Sequence, residues 1–351
     1  MSTEPRFSRR QLGILGAAAA VGSVPLLSSC SDDTKTPAAA SNKTPDKVTY
    51  LTGFGASGRE SHAWVAKSKG FFKEAGIDVT IQLGAAGDSN HKLLAAGTAQ
   101  FAGVDASGAF IRYGKGVDTS FQIVGAVQQT TLISIITLAD HNISGPKDLE
   151  GKKVAGAVGA APKTLFPAYT KLAGIDIAKV NWIDMDPAQI TPSLVTGKVD
   201  GAALFVVAAP GVEKAAQGKK TKTLTYSEFL ADLFGTVLVT PKKLLESNPD
   251  LVRRFNGALM RGVQYAVEHP EEAGQILKQD QPTQDADIAK QEAALMKQYC
   301  LPNPGVQVGV LDPARVAKTI ALLQSTDLIP AGLKPEDIVK FDMLGDAPKA
   351  A

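Results

Sequence analysis

Short β-rich runs alternate with helical segments from residue 47 to residue 240, and no other feature restricts the possible folds as strongly. Residues 48–51, 77–83, 101–104 and 121–127 read as strands from their β-branched and apolar content. Residues 60–75, 91–96 and 106–113 between them read as helices. The first has an apolar face along Ala63, Trp64, Ala66 and Phe71 and is closed by Gly76. A second set repeats the rhythm. Its strands fall at 132–138, 152–157, 180–183, 199–204 and 236–240. Its helices run from Pro162 to about residue 173 and over 187–196 and 212–217. Such alternation buries near-parallel strands between layers of helices. After Pro241 the chain is helical, over 249–268, 271–278, 285–299 and 313–323. The runs 132–138 and 236–240 bracket the second set, and side by side they would form a two-stranded crossing. The expected fold is α/β with two lobes, a hinged clamshell in which each lobe is a mostly parallel sheet flanked by helices. Lobe 1 is expected at 47–130 plus 240–351, and lobe 2 at 131–239 with the crossing strands at its ends.

The first 29 residues follow a different plan. Ser8-Arg9-Arg10-Gln11-Leu12 is a twin-arginine pattern before an Ala-rich apolar stretch over 12–27. Leu27-Ser28-Ser29-Cys30 then places small residues ahead of a cysteine. Basic, apolar and small-residue regions in that order make an export signal. The stretch falls short of the ~20 residues a membrane span needs. A cysteine directly after the cut resembles the acylation site of bacterial lipoproteins. The expectation is an extracytoplasmic protein held at the membrane by lipid on Cys30. Residues 30–46 are small, polar and Pro-containing, which suits a flexible tether.

The formal net charge is +2, and Arg6, Arg9 and Arg10 against Glu4 account for it. The exported remainder is formally neutral, and nothing resembles the basic stripe that nucleic acid requires. With Cys30 acylated, Cys300 stands alone and is expected as a small apolar residue in a helix.

Five pieces of the chain, in order, look like a known family. The run Ala66-Lys67-Ser68-Lys69-Gly70-Phe71-Phe72-Lys73-Glu74-Ala75-Gly76-Ile77-Asp78-Val79 is similar to a signature of bacterial solute-binding proteins. Leu94-Ala95-Ala96-Gly97, Lys147-Asp148-Leu149-Glu150-Gly151-Lys152-Lys153-Val154 and Thr196-Gly197-Lys198-Val199-Asp200-Gly201-Ala202 follow. The last is Asn248-Pro249-Asp250-Leu251-Val252-Arg253-Arg254-Phe255 with His269-Pro270-Glu271-Glu272-Ala273. Together they resemble the thiamine-pyrimidine/sulfonate/nitrate-binding group of ABC-importer receptors. The resemblance implies the type II periplasmic-binding-protein fold, closure on a small solute, and delivery to a permease and its ATPase. Such a receptor is expected to work as a monomer without a cofactor.

Other classes are less well served. Neither G-x-S-x-G nor G-x-x-x-x-G-K-[ST] occurs. Fungal pyrimidine-making enzymes share this fold and carry a cysteine-rich cluster just before the second crossing strand. Here that place reads Leu233-Phe234-Gly235-Thr236-Val237, so no enzyme activity is expected. His62, His91, His141 and His269 are dispersed without ligand spacing, so no metal is expected. A receptor that signals and imports nothing stays open beside transport.

Ligands of open α/β sheets bind beyond the carboxyl ends of the strands. The loop after the first strand is Gly-rich and offers Phe54, Ser57, Arg59, Glu60 and His62. In the resembling pyrimidine receptors a histidine stands where His62 does. Asp88, Ser89 and Asn90 follow the second strand, either as ligand contacts or as helix caps. Asp105 and Ser107 follow the third, with the same two roles open. Gln128 and Gln129 lie where the chain would leave lobe 1. In lobe 2, Gly159, Ala160 and Ala161 open a helix whose free N–H groups suit an anion, and Asp186 and Phe205 stand at strand ends. The group's anion binders often have Ser or Thr at that helix start, so the alanines weaken an anion assignment. A heteroaromatic solute of thiamine-pyrimidine type is the first expectation, and a sulfonate or nitrate-like anion held by Arg59 the alternative.

Overall fold

The computed structural model describes residues 44–85 and 89–351. The export segment, Cys30, most of the tether and Asp88 lie outside the described residues.

Among the described residues ten strands form two five-stranded sheets: β1 (Asp46–Leu51), β2 (Ile77–Gln82), β3 (Phe101–Asp105), β4 (Phe121–Ala126), β5 (Ile133–Leu138), β6 (Lys153–Gly156), β7 (Asn181–Asp184), β8 (Gly201–Phe205), β9 (Thr221–Thr225) and β10 (Thr236–Pro241). The first sheet has the order β2-β1-β3-β10-β4 and the second β7-β6-β8-β5-β9. In each, one strand runs against the other four: β10 in the first and β5 in the second. Each reversed strand is the one the chain forms on arriving from the other half. The sheets are therefore mixed in their pairings, although most strands point one way.

The expected pairing of 132–138 with 236–240 does not occur. β5 pairs with β8 and β9, and β10 pairs with β3 and β4. The reason is burial on both faces. Every residue of β5 is buried, as is β10 up to Thr240. Such strands need a sheet partner on each edge and a helix layer on each face, which a two-stranded ribbon cannot supply. β10, from residue 236, accordingly belongs to the first sheet.

Two straps still cross side by side, just outside these strands. Gln128 N–H donates to Thr236 O at 3.0 Å, Gly235 N–H to Gln128 O at 3.2 Å and Thr131 N–H to Leu233 O at 3.0 Å.

The helices are α1 (Ser61–Ser68), α2 (Phe71–Glu74), α3 (Ser89–Ala95), α4 (Ala106–Gly114), α5 (Ala161–Leu172), α6 (Pro187–Val195), α7 (Ala209–Ala215), α8 (Lys242–Ser247), α9 (Pro249–Glu268), α10 (Pro270–Asp280), α11 (Ala286–Leu295), α12 (Lys297–Cys300), α13 (Pro313–Ser325) and α14 (Pro335–Ile338). The helix expected at 60–75 is split, because Gly70 adopts φ 78°, which ends α1 and turns the chain into α2. The one expected at 285–299 is split at Met296. Cys300 is a free, buried thiol in α12, as expected.

The charged run at Lys219, Lys220 and Lys222 leads into an unforeseen edge strand, β9. Lys219 pairs with Asp140 at 2.8 Å and Lys220 with Glu213 at 2.9 Å. Lysines on an edge discourage pairing with a further strand.

Each sheet has its own aromatic centre. In the first, Phe255 of α9 stacks on Phe101 at 3.9 Å and on Phe72 at 5.1 Å between ring centroids. In the second, Tyr169 of α5 stacks on Tyr226 at 4.1 Å. Tyr226 Oη also donates to Pro162 O at 3.1 Å, which fixes the first turn of α5 against its sheet.

Candidate ligand cleft

The carboxyl ends of β1, β3, β6 and β8 converge on a cavity of about 340 Å³ lined by both halves. From the first half, Phe54, Arg59, Asn90, Asp105, Ser107 and Gln128 of the expected residues line it. From the second half come Gly159, Ala160, Ala161 and Phe205. Ser57, Glu60, His62, Ser89, Gln129 and Asp186 do not line it.

Arg59 and Glu60 sit in a single turn after β1 and pair with each other. Arg59 Nε lies 3.2 Å from Glu60 Oε1, with the side chains 7 % and 0 % exposed. Glu60 also accepts the Gly53 N–H at 3.1 Å, so it ties the turn to the end of β1. The Arg59 guanidinium lies 4.8 Å from the centroid of the Phe205 ring and 5.6 Å from that of Phe54. It thus contacts an aromatic face from each half, with its charge already matched by Glu60. Behind this turn, Glu292 of α11 accepts the Gly58 N–H, and burial pushes its carboxyl pKa up.

His62 faces the core and not the cleft. Its Nδ1 lies 3.2 Å from the Arg59 carbonyl, which can only accept, so the proton sits on Nδ1. It borders a separate void of about 10 Å³ with Met296 and Cys300. Burial pulls its pKa down, against the opposing pull of the Glu60 carboxylate. The first turn of α1 points His62 inward because α9 covers that face.

Asp105 caps α4, accepting the Gly108 N–H at 3.1 Å, while lining the cavity. Burial pushes its carboxyl pKa up, and the Gly108 N–H, Ser107 and Arg59 oppose that in part. Asn90 is a strut. Its Nδ2 donates to Thr52 O and Gly103 O, both at 2.8 Å, and its Oδ1 accepts the Ala85 N–H at 3.1 Å. Both amide protons are used, so Asn90 offers a guest no donor. Ser89 opens α3 beside it.

Sequence reasoning missed the rest of this wall. Gly108, Ile111, Arg112 and Lys115 line the cavity from one side of α4 and the turn after it. Their three- and four-residue spacing is the signal that marks one helix face. Arg112 Nε lies 3.7 Å from Asp118 Oδ2.

The second half presents little side-chain polarity. Ala160 precedes α5 without a side-chain cap, and its carbonyl accepts the N–H groups of Lys163 and Thr164, both at 3.1 Å. Thr164 and Leu165 add a hydroxyl and an apolar surface. Asp186 is exposed, lies outside the cavity lining and caps α6, accepting the Ala188 N–H at 2.9 Å. Gln129 instead holds the C-terminal region, through Nε2 to Val310 O at 2.9 Å.

Residues 61–273, more than half of the chain, match the family model described as NMT1/THI5 like. The chain belongs to that family. It is 21% identical over 278 residues to the formylaminopyrimidine-binding protein of Halalkalibacterium halodurans, covering 78% of this chain and 83% of that one. It is 23% identical over 284 residues to the riboflavin-binding protein RibY of Chloroflexus aurantiacus, covering 78% and 80%. The periplasmic aliphatic sulphonate binding protein SsuA from Escherichia coli has the same fold, with a TM-score of 0.67, 15% identity, and coverage of 84% of this chain and 92% of that one.

In this NMT1/THI5-like chain the cleft combines apolar walls with a few oriented polar groups, the usual make-up of a small-molecule site. Among the described residues no cluster of three or more His, Cys, Asp or Glu is placed to hold a metal ion, and no helix is long and apolar enough to cross a membrane.

Proposed function

We propose that this protein is the lipid-anchored solute receptor of an ABC importer and that the cavity takes a small organic solute. One observation carries the reading: the cavity is lined by strand ends from both sheets, and where the chain passes between the sheets the hydrogen-bonded straps lie side by side. A guest in that position touches both halves at once, so occupancy favours the closed arrangement. The work done is binding and not bond making. Closed lobes would then present a surface to the permease, with Cys30 keeping the receptor at the membrane.

A heteroaromatic solute is the preferred class. Phe54 and Phe205 flank the Arg59 guanidinium, and a planar ring can stack in the same aromatic setting. The pyrimidine- and flavin-binding relatives support this choice. The second reading is a sulfonate or nitrate-like anion at the uncapped start of α5. Arg59 is a poor receptor for that anion because Glu60 already neutralises it.

Thermal-shift screening against a formylaminopyrimidine, riboflavin, ethanesulfonate and nitrate tests the reading, followed by X-ray scattering with any hit. A stabilising solute that also reduces the radius of gyration supports it. A hit that leaves the radius of gyration unchanged would falsify the closure. Stabilisation by ethanesulfonate and not by the ring compounds selects the anion. Release of the exported protein from membranes on Cys30→Ser tests the anchor.

A further inference from the structure

Gln128 sits where the chain leaves β4 for the second half. It is 2 % exposed and lines the cavity. Its Oε1 accepts the backbone N–H of Thr236, the first residue of β10, at 2.9 Å. A backbone N–H can only donate, so the amide oxygen must face Thr236 and the amide nitrogen must face elsewhere. That nitrogen is buried and has no hydrogen-bond partner. Buried amide donors are seldom left unpaired, because desolvation goes uncompensated.

The surroundings hold this side chain in place. A Cβ on Gly235 would lie 2.5 Å from Gln128 Oε1 and 2.8 Å from Thr130 O, so the returning strap closes on Gln128 only with glycine there. Arg315 of α13 grips both straps from outside. Its guanidinium donates to the Gln129 carbonyl on one strap, and to Ala231 O at 3.2 Å and Asp232 O at 3.3 Å on the other. Gln128 therefore lines the cavity with one end of its amide held in a clamped crossing and the other end buried and unsatisfied.

We propose that Gln128 reads the solute and ties its presence to the crossing between the halves. Nε2 donates to an acceptor atom of the guest, such as a ring nitrogen or carbonyl oxygen, while Oε1 keeps hold of Thr236. Seating the guest thus fixes the amide that spans the two straps, and the closed arrangement gains only when the guest carries that acceptor. The inference rests on the receptor reading above and names the chemistry its solute must have.

Two variants test it. Gln128→Glu keeps an oxygen for Thr236 and puts a second oxygen in place of the donor. Gln128→Met keeps the length and removes both groups. The purified full chain and each variant are titrated calorimetrically with riboflavin, a formylaminopyrimidine, ethanesulfonate and nitrate, and scattering is recorded with and without the probe that binds. For that probe, both variants should bind about tenfold more weakly or worse, as expected for one hydrogen bond to a buried donor. Probe-induced compaction should shrink with them. Gln128→Met should also unfold at a lower temperature without solute, because the Thr236 N–H loses its acceptor. If either variant binds the probe as tightly as the unaltered chain, Gln128 does not read the solute, and this inference alone is overturned. If no probe binds the unaltered chain, the receptor reading fails and takes the inference with it.

Discussion

The two walls of the cleft are built on different plans. The first half lines it with Arg59, Asn90, His91, Asp105, Arg112 and Lys115. Several of these are bonded to their own neighbours: Arg59 to Glu60, Asn90 to three backbone groups, Asp105 to its helix. The second half lines it with a glycine, two alanines, Thr164, Leu165 and Phe205. A wall whose polar groups already satisfy one another is held in shape before any guest arrives. A wall of small and apolar groups has few directional bonds to break, and can approach the other as a cover. Under the proposed function, orientation of the solute would fall to the first half and enclosure to the second.

That contrast can be broken by mutation, most sharply at Glu60. Glu60→Leu leaves the Arg59 charge buried without its partner, and should destabilise the chain by about 3 kcal/mol in denaturant unfolding. An unchanged unfolding midpoint would mean the first wall does not depend on this pair. Asn90→Ala comes next. It removes the donor to two buried carbonyls and the acceptor of the part-buried Ala85 N–H, so a loss of about 2 kcal/mol is expected by the same measurement. A loss below about 0.5 kcal/mol would remove Asn90 as a strut.

The pH dependence sharpens the comparison further, because the first wall has a buried histidine behind it. The pKa of His62 is lowered in the folded state from its ordinary 6.5, chiefly by burial. The unfolded chain then binds the proton more readily. Stability from this group is fully present above pH 6.5 and is lost as the pH falls through the folded pKa. His62→Gln should flatten the acid side of the stability profile, and an unaltered slope there would assign it to other groups. The smallest effect is expected in the second wall. Thr164→Val should change stability by no more than about 0.5 kcal/mol. A loss as large as that of Asn90→Ala would show that both walls are held alike.

The rhythm of strands and helices was legible because apolar periodicity is local. The 249–268 helix lies where its pattern placed it, opened by Pro249 and capped by Asn248, which accepts the Leu251 N–H at 3.1 Å. Gly70 shows the limit of that signal. The apolar face runs on to Phe71, but a left-handed glycine cuts the helix beneath it. β9 was hidden because threonines between lysines look like a solvated run until β5 offers an edge. In the cleft, Phe54, Arg59, Asp105, Gln128 and Phe205 stood out as polar or aromatic residues at strand ends, where open sheets present their sites. His62 looked equivalent in the chain, yet it lies on the side of α1 that α9 covers, beside a separate void with Met296 and Cys300. Arg112 and Lys115 escaped notice because a charged residue late in a helix carries no mark of what its face will meet.

What the amino-acid order determined by itself was the set of elements, the two-fold repetition of the α/β unit and the turns that begin the cleft. These depend on apolar spacing, glycines and caps within a few residues. Only the tertiary structure decided that 133–138 and 236–241 enter different sheets, that the straps pair beside them, and that Glu60 neutralises Arg59 before a guest can use it. Those outcomes depend on burial on both strand faces and on contacts between residues far apart in the chain, and no local pattern contains that information.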